Sequence, residues 1–344
     1  MNRFANLVSS INPSFVKDIT SNIFIDLGSF KTRVIVDGKL TYNEASLLIV
    51  HQESQSVLSI GDKALDLLNK TPSGTEVVFP LKNGVIADDV LTKAYLRALI
   101  EKLFPKKKVL HNLQGAVSVM TDSSSVEQQI QKKILNELGW GTLKIYPQAD
   151  AVFSKLQKNL KVENLCILDI GFEKSELSLF SYKERVYVRA MELGGLNFTR
   201  AIKDIVRKKY QTEISFQTAE EVKLSIGRIN NKSQAKDKDL KKIAVRGKDL
   251  LDNTIKTITI SNDDFFAVYE QLADELLAEI NIFFAKIPAQ LLTLILEKGI
   301  YITGGGSKLA GLTDYLSKKL KCEFIQSKTA ELDVVEGLSM MGNV

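Results

Sequence analysis

The sequence predicts an α/β protein built from two related halves, because the same short pattern opens each half. The patterns are NIFIDLGSFKTRVIV (22–36) and NLCILDIGFEKSELSLF (164–180): an apolar run, then Asp-apolar-Gly, then a polar turn and a second apolar run. Apolar residues alternating on both sides of a glycine turn indicate a β-hairpin. Asp26 and Asp169 end the first strand of each hairpin, 143 residues apart. We therefore expect an internal duplication with a ligand held between the halves.

The first half divides into an N-terminal segment and a domain. Residues 1–20 are predicted to be an amphipathic segment, because their apolar residues recur at helical spacing: Phe4, Leu7, Val8 and Ile11. Domain I is predicted over 21–150, with a small subdomain inserted at about 41–80, where turn residues separate short apolar runs. Apolar spacing then predicts a helix over 88–103, a strand over 115–120 and a helix over 126–138.

The second half repeats this plan. After the hairpin, the pattern predicts a strand over 185–192, a glycine turn at 194–195 and a helix over 199–210. A second insertion is predicted at about 218–261, with a Lys/Asp-rich solvated stretch at 232–242. A helix over 263–285 follows, then a strand, the turn Gly304-Gly305-Gly306 and an amphipathic helix. We expect domain II over 151–324 and a return of 325–344 to domain I.

Composition restricts the class of protein. At 344 residues, 44% hydrophobic and 25% charged, the chain suits a soluble protein of two domains. No apolar run approaches the ~20 residues of a membrane-spanning helix. Cys166 and Cys322 lie in apolar contexts, which indicates reduced core residues of a cytosolic protein. With two histidines and a dispersed net charge of +5, neither a histidine-based site nor nucleic-acid binding is favoured.

The glycine turns and strand-end aspartates carry the chemical signal. A glycine after a buried strand lets backbone N–H groups approach an anion. Aspartates beside that anion require a cation between them, and Mg²⁺ with its waters suits Asp26 and Asp169 in its second shell. For either aspartate alone, the cap of an ordinary turn is the better explanation, and it is their pairing, together with the triple glycine, that favours a ligand site. The triple glycine alone is equally explained as a plain strand–helix link.

Several further segments occur in one order along the chain: GDKALDLLNKTPSG, FPLKNGVIADDV, TAEEVKLSIG, AVRGKDLLDNTIKTITIS and GIYITGGGSKLAGL. With IDLGSFKTRVIV they resemble the actin-like ATPase superfamily, and within it the bacterial MreB/Mbl family, from about residue 22 to the C-terminus. The resemblance implies an actin-like, ribonuclease H-like duplicated fold. Each of its two domains is split into two subdomains around a cleft that holds ATP or ADP with Mg²⁺.

The resemblance also assigns site residues by position. It implies that the first phosphate loop uses Gly28, Ser29 and Thr32, and the second Gly171. It places Gly194 and Gly195 at the ribose edge, Glu220 and Lys223 beside adenosine, and Gly304 and Gly305 beneath the nucleotide. For Glu220 and Lys223, a surface ion pair one helical turn apart is the plain alternative.

The chain departs from the family at the second phosphate loop, which is usually Asp-x-Gly-Gly-Gly-Thr-Thr. Here Phe172 and Glu173 replace two glycines, which hinders close approach of the backbone and adds a carboxylate beside phosphate. Lys174 either contacts a phosphate or pairs with Glu173 in solvent.

A second departure concerns hydrolysis. Gln148 stands where the family has a catalytic glutamate. A carboxamide orients water but cannot accept its proton, so we expect slow ATP hydrolysis. The alternative is that Gln148 is only a helix-end residue.

The family resemblance implies self-association into filaments at the inner face of the cell membrane, for cell shape or wall-synthesis organisation. Anionic lipid and membrane morphogenesis proteins are the further partners it suggests, and nucleic acid is not one. Candidate lipid contacts are the N-terminal segment and Leu103-Phe104, which precede three lysines. Alternatively, residues 1–20 pack on their own domain and Phe104 only closes a helix. The competing functions are a non-hydrolysing scaffold or adaptor of the pilus or division type, and a sugar-kinase-like enzyme, for which no acceptor-binding residues stand out.

Overall fold

A computed structural model describes residues 20–68, 73–105, 112–229 and 240–342. Phe4, Leu7, Val8, Ile11 and the lysines at 106–108 therefore lie outside the described residues, as does most of the Lys/Asp-rich stretch. Among the described helices, none is long and apolar enough to cross a membrane.

The first half contains the following strands and helices. The strands are β1 (Thr20–Leu27), β2 (Lys31–Val36), β3 (Lys39–Ala45), β4 (Leu48–His51), β5 (Val57–Ile60), β6 (Thr75–Val78), β7 (Leu81–Lys82), β8 (Val85–Ile86), β9 (Asn112–Val119) and β10 (Lys144–Pro147). The helices are α1 (Asp62–Leu67), α2 (Asp89–Leu103), α3 (Ser125–Glu137) and α4 (Gln148–Leu160).

The second half contains a similar series. Its strands are β11 (Leu165–Ile170), β12 (Ser175–Ser181), β13 (Glu184–Met191), β14 (Thr212–Glu213), β15 (Lys242–Asp249), β16 (Ile255–Ser261), β17 (Ile300–Thr303) and β18 (Phe324–Gln326). Its helices are α5 (Gly195–Tyr210), α6 (Phe216–Ile226), α7 (Phe266–Phe284), α8 (Ala289–Lys298), α9 (Leu312–Leu320) and α10 (Asp333–Met341).

The two main sheets share one topology. Their strand orders are β10-β9-β1-β2-β3 and β13-β12-β11-β17-β18. In each, the first three strands of the half pair antiparallel, and two later strands extend the sheet parallel to the first. Both predicted hairpins are present, and they occupy the same place in their sheets. The small sheet β5-β4-β6 falls in the first region predicted as an insertion, and β15 and β16 fall in the second, whereas their partner β14 precedes it.

The two hairpin turns have the same backbone geometry. Gly28 N donates to Lys31 O at 3.2 Å, and Gly171 N donates to Lys174 O at 2.9 Å. A Cβ on Gly28 would lie 2.8 Å from Lys31 O, and one on Gly171 would lie 2.7 Å from Lys174 O. Since these contacts are with backbone, both turns require glycine.

Helices α4 and α10 join the two halves. They cross so closely that a Cβ on Gly337 would lie 1.9 Å from Ala151 O. Helix α10 also contacts β1 and β9 of the first sheet. The core around these helices contains residues of both sheets, among them Phe24 from β1 and Phe180 from β12. The halves therefore meet through a continuous apolar contact, which aligns the ends of β1 and β11 across one cleft.

The end of α2 bears on one of the two membrane candidates. Leu103 and Phe104 are half-buried and pack against the core of the first half. Phe104 N donates to Ile100 O at 2.9 Å and so closes the helix. This placement supports the structural alternative for these two residues.

Candidate functional site

A cavity of about 360 Å³ lies in the cleft between the two hairpin turns. Most of the residues predicted from the sequence line it: Asp26, Gly28, Ser29, Gln148, Asp169, Gly171, Lys174, Gly195, Glu220, Lys223, Gly304 and Gly305. The fold thus brings residues from six separate segments of the chain to one site. The volume suits a small organic ligand.

Two of the predicted residues are placed elsewhere. Thr32 is fully buried, and its Oγ1 lies 2.8 Å from Ser46 Oγ and 2.9 Å from the Tyr95 hydroxyl that donates to it. Gly194 precedes α5 and is not on the cavity wall. A Cβ there would lie 2.5 Å from Phe172 O, so Gly194 supports the second loop from behind. We therefore leave both residues out of the candidate ligand contacts.

Asp26 lies at the base of the cavity in an ion pair with Arg33. These residues are directly opposite each other in the β1–β2 register, and Arg33 Nη1 is 3.2 Å from Asp26 Oδ2. Ser118 Oγ donates to Asp26 Oδ1 at 3.1 Å, and Gln148 lines the same cavity. Burial raises the pKa of Asp26, and Arg33 opposes that effect. Both carboxylate oxygens are therefore engaged by protein donors.

Asp169 has a different cross-strand neighbour. It lies opposite Glu176 in the β11–β12 register. Burial, reinforced by the neighbouring Glu176 carboxylate, raises the pKa of Asp169 to about 7. Burial also raises the pKa of Glu176 to about 7, although hydrogen bonds from Thr121 and Ser178 oppose it. In the described part of the chain, Glu176 Oε2 has no hydrogen-bond partner.

The sequence reasoning missed Arg33 and Glu176, although both line the cavity. A signal was available, since each lies seven residues after the aspartate of its hairpin. Side chains alternate between the two faces of a strand, and residues directly opposite each other in a hairpin lie on the same face of the sheet. With a short turn, the residue seven positions after the aspartate is the one opposite it.

Aromatic rings connect the two loops across the cleft. Phe30 of the first loop stacks on Phe172 of the second, with centroids 4.3 Å apart and planes inclined by 19°. Phe216 at the start of α6 packs edge-on against both rings, at 6.1 Å from Phe30 and 5.9 Å from Phe172. The phenylalanine that replaces a family glycine thus bridges the two halves of the protein.

The next two residues of the second loop also reach across the cleft. Glu173 Oε2 accepts a hydrogen bond of 2.6 Å from Asn83 N, in the turn between β7 and β8. Gly84 N in the same turn donates to Ser29 Oγ at 3.0 Å, so one turn holds both loops. Lys174 Nζ lies 3.7 Å from Asp122 Oδ2, so Lys174 forms its ion pair with Asp122. Of the two alternatives for Lys174, the pairing with Glu173 is therefore wrong.

Glu220 and Lys223 form the predicted ion pair one turn apart on α6, at 2.7 Å. The pair is buried in the cavity wall, with side chains 14% and 11% exposed, and is not a surface pair. Lys223 Nζ also donates to Gly195 O at 3.1 Å and Thr199 Oγ1 at 3.0 Å. Burial lowers the pKa of Lys223, and Glu220 opposes that effect. The pair therefore fixes α6 against the start of α5.

The glycine turn after β17 forms the floor of the cavity. Gly304 has φ +80°, and a Cβ there would lie 2.2 Å from Asp169 Oδ1 and 2.4 Å from Ile170 O. A Cβ on Gly305 would meet nothing within 4 Å, so this residue faces open space. The turn thus packs on the second hairpin at one glycine and leaves room for a ligand at the next.

Gln148 is the first residue of α4 and follows Pro147, which caps the helix without a side-chain bond. Its neighbour is fixed, because Ala149 N donates to Thr121 Oγ1 at 3.0 Å. The side chain lines the cavity, and its amide lowers the pKa of Asp26. This position at a helix start, beside a buried carboxyl, allows the carboxamide to orient a water molecule.

Comparison with known proteins identifies a family. The model of the MreB/Mbl protein family matches residues 20–343. The chain is 26% identical over 328 residues to the cell shape-determining protein Mbl of Bacillus cereus, which covers 93% of this chain and 95% of that protein.

Solved structures show the same fold. MreB5 of Spiroplasma citri bound to ADP has a TM-score of 0.86 at 23% identity and covers 95% of this chain and 97% of its own. The same protein bound to AMPPNP has a TM-score of 0.85. A MamK double helical filament has a TM-score of 0.78 at 15% identity, over 94% of this chain and 99% of the other. The predicted actin-like fold is confirmed.

Proposed function

The chain belongs to the MreB/Mbl family of actin-like proteins, and from that membership we propose a nucleotide-binding cytoskeletal protein that forms membrane-associated filaments and hydrolyses ATP slowly. The observation that carries the proposal is the duplicated loop geometry around one cavity. Each loop begins with a strand-end aspartate that lines the cavity and turns at an obligatory glycine, and the turn at Gly304 lines the same cavity. MreB5, whose fold is similar, binds ADP and AMPPNP, which supports a nucleotide as the ligand.

The cavity wall fits a nucleotide. Gly305 leaves open space at the floor, and Lys31, Lys174 and Lys308 place positive charge on the wall. The buried pair of Glu220 and Lys223 lies on the side proposed for the adenosine. The metal prediction fits less well at Asp26, because Ser118 and Arg33 already engage its two oxygens. We therefore propose that this site binds phosphate through side chains and backbone groups of the chain itself.

For hydrolysis, the residue proposed to act is Gln148. Phosphoryl transfer depends mainly on the position of the attacking water and on stabilisation of charge. The Gln148 carboxamide can orient that water from the helix start, but it cannot accept a proton. The expected outcome is a slow ATPase whose nucleotide affinity does not depend on this side chain.

Self-association and membrane contact complete the proposal. MamK, which shares the fold, forms a double helical filament, and the Mbl relative is a cell shape-determining protein. We propose head-to-tail filaments at the inner face of the cell membrane, with residues 1–19 as the lipid contact, because Leu103 and Phe104 pack on the protein. Morphogenesis proteins of the membrane are the further proposed partners.

The test is electron microscopy of the purified full chain on anionic lipid vesicles, with and without ATP. Filaments that form on lipid and respond to ATP are expected. Absence of polymer under every condition would rule out the cytoskeletal proposal. Identical filaments with and without ATP would rule out control of assembly by nucleotide.

One observation favours a second candidate, a non-hydrolysing scaffold or adaptor. The second loop holds the halves together through the stack of Phe172 on Phe30 and the bond from Asn83 N to Glu173. A protein of this kind would polymerise with no measurable affinity for ATP or ADP, which calorimetry on the same sample would establish.

A further inference from the structure

The buried Asp26 and the half-buried Asp169 create a charge requirement in the cleft. Asp26 and Asp169 both line the cavity, and both would stand beside the phosphates of a nucleotide. Like charges brought close in a buried site repel, so the site requires a cation among them. In the structure, Asp26 forms an ion pair with a positively charged side chain of the chain itself.

That cation is Arg33, which is fixed by the hairpin. The β1–β2 register sets it directly opposite Asp26, with Nη1 3.2 Å from Oδ2. The two side chains are only 13% and 6% exposed. A guanidinium held in this way is pre-organised, and little of its rotamer freedom is left to lose on binding a ligand.

Arg33 also acts beyond Asp26. Its side chain lines the cavity, and its charge opposes the burial and neighbouring carboxylates that raise the pKa of Asp169. It also contributes, after Lys308, to the lowered pKa of Glu331 on the same wall. Its Nε is buried, and within the described residues it has no hydrogen-bond partner. What Arg33 presents to the cavity is therefore the charge of its 13% exposed guanidinium, and not the buried Nε.

The second hairpin does not repeat this cation, so Arg33 is a feature of the first hairpin alone and not of the duplicated backbone. The position equivalent to Arg33 holds Glu176, opposite Asp169. The repeat thus supplies a cation on one side of the cleft and a second carboxylate on the other. At these two equivalent cross-strand positions, the first hairpin therefore carries a cation and the second does not.

We infer that Arg33 is a fixed cation of the phosphate site, which binds the phosphates of a nucleoside di- or triphosphate and supplies the charge that a divalent metal would otherwise bring beside Asp26. The inference rests on the proposed nucleotide binding and deepens it. It follows that the protein binds nucleotide without divalent metal. Charge-assisted contacts from arginine to phosphate are strong enough for this role.

The experiment is isothermal titration of the full chain with ADP, in EDTA and in Mg²⁺. For the native protein we expect the Kd to change by less than about threefold on removal of metal, because Arg33 remains in place. For Arg33→Leu we expect a loss of at least about tenfold in EDTA, with substantial recovery in Mg²⁺, because the Asp26 carboxylate becomes free to hold a hydrated metal. Arg33→Lys, which keeps the charge, is the matched control and stays insensitive to EDTA.

A second measurement does not depend on nucleotide affinity alone. Electron paramagnetic resonance of Mn²⁺ with ADP should detect no protein-held metal in the native chain and a held metal in Arg33→Leu. Because Arg33→Leu leaves a buried carboxylate unpaired, the double variant Asp26→Asn, Arg33→Leu checks the fold, and it should bind ADP weakly with or without metal.

The outcomes separate the two claims. Native binding that requires Mg²⁺, or an Arg33→Leu variant as tolerant of EDTA as the native chain, overturns the role of Arg33 and leaves the nucleotide proposal standing. A native chain that binds ADP under neither condition overturns the nucleotide proposal, and the inference with it.

Discussion

Asp26 and Arg33 face each other across the first hairpin, with Nη1 of the arginine 3.2 Å from Oδ2 of the aspartate. The same two positions of the second hairpin hold Asp169 and Glu176. The duplicated backbone therefore carries opposite charges at equivalent places, and the two sides of the cleft have different chemistry. The predictions below test that asymmetry, the floor of the site and the closure of the cleft.

The pH dependence of stability should expose the acidic side of the cleft. A folded-state pKa of about 7 for Glu176 lies above the usual range, so its stabilising contribution is full at low pH and is lost as pH rises through 7. Glu176→Gln removes this ionisation and keeps an acceptor for Thr121 and Ser178. We expect the variant to unfold at a higher temperature than the native chain at pH 8, with the gain shrinking at pH 5. The exposed Glu163→Gln is the control, and an equal shift at both pH values would contradict the assignment.

The glycine turn offers a pair of adjacent substitutions with opposite outcomes. Gly304→Ala should destabilise the protein by about 1–3 kcal/mol, because alanine at φ +80° is strained and its Cβ would lie 2.2 Å from Asp169 Oδ1. Gly305→Ala should leave stability within about 0.5 kcal/mol, because its Cβ meets open space, yet it should weaken ADP binding. Denaturant unfolding and calorimetry check the two effects. Equal stability of the two variants would show that the turn is not built as described.

The aromatic bridge should control access to the cleft. Phe172→Gly with Glu173→Gly removes the stack on Phe30 and the bond to Asn83 N, which hold the halves together. An aromatic pair contributes roughly 0.5–1.5 kcal/mol, so we expect nucleotide to associate up to about tenfold faster and to bind more tightly. Stopped-flow fluorescence with a labelled ADP measures the rate. Phe79→Ala, at a partly exposed phenylalanine outside the cavity wall, is the control and should leave it unchanged.

Gln148 should matter for hydrolysis and not for affinity. Gln148→Ala removes the group proposed to orient the attacking water, and we expect the rate of ATP hydrolysis to fall at least about tenfold. The affinity for ADP should stay within about twofold, since the carboxamide is proposed to contact water and not the nucleotide. Phosphate release and calorimetry give the two quantities. Gln157→Ala, on the same helix, should change neither, and an unaltered rate in Gln148→Ala would leave this residue with a structural role only.

The two membrane candidates should separate cleanly. Leu7→Glu places a charge on the predicted apolar face of the N-terminal segment, so we expect the chain to lose co-sedimentation with anionic vesicles while its thermal stability stays unchanged. Phe104→Ala should lower the thermal stability and leave vesicle binding unchanged, because Phe104 packs against the core of the first half. Vesicle binding that survives Leu7→Glu and is lost with Phe104→Ala would place the lipid contact at the end of α2 instead.

The sequence by itself determined the duplicated fold and most of the cleft. Alternating apolar residues and obligatory turn glycines are local features, and they specified both hairpins and their aspartates. The order of several motifs along the chain then indicated the family. The family resemblance in turn predicted site residues as far apart as Gln148, Glu220 and Gly304. Such assignments succeed when a residue's place follows from its own strand end or turn.

Only the tertiary structure decided which partners these residues meet. Arg33 and Glu176 become cavity residues through strand register, and Thr32 is withdrawn from the cavity by hydrogen bonds to Ser46 and Tyr95. Phe172 and Glu173, which read as obstacles to phosphate, turn out to bridge the cleft to Phe30 and Asn83. The physical reason is that the partners of Phe172 and Glu173, and the Tyr95 hydroxyl that bonds Thr32, lie more than 50 residues away in the chain, where no local pattern can encode them.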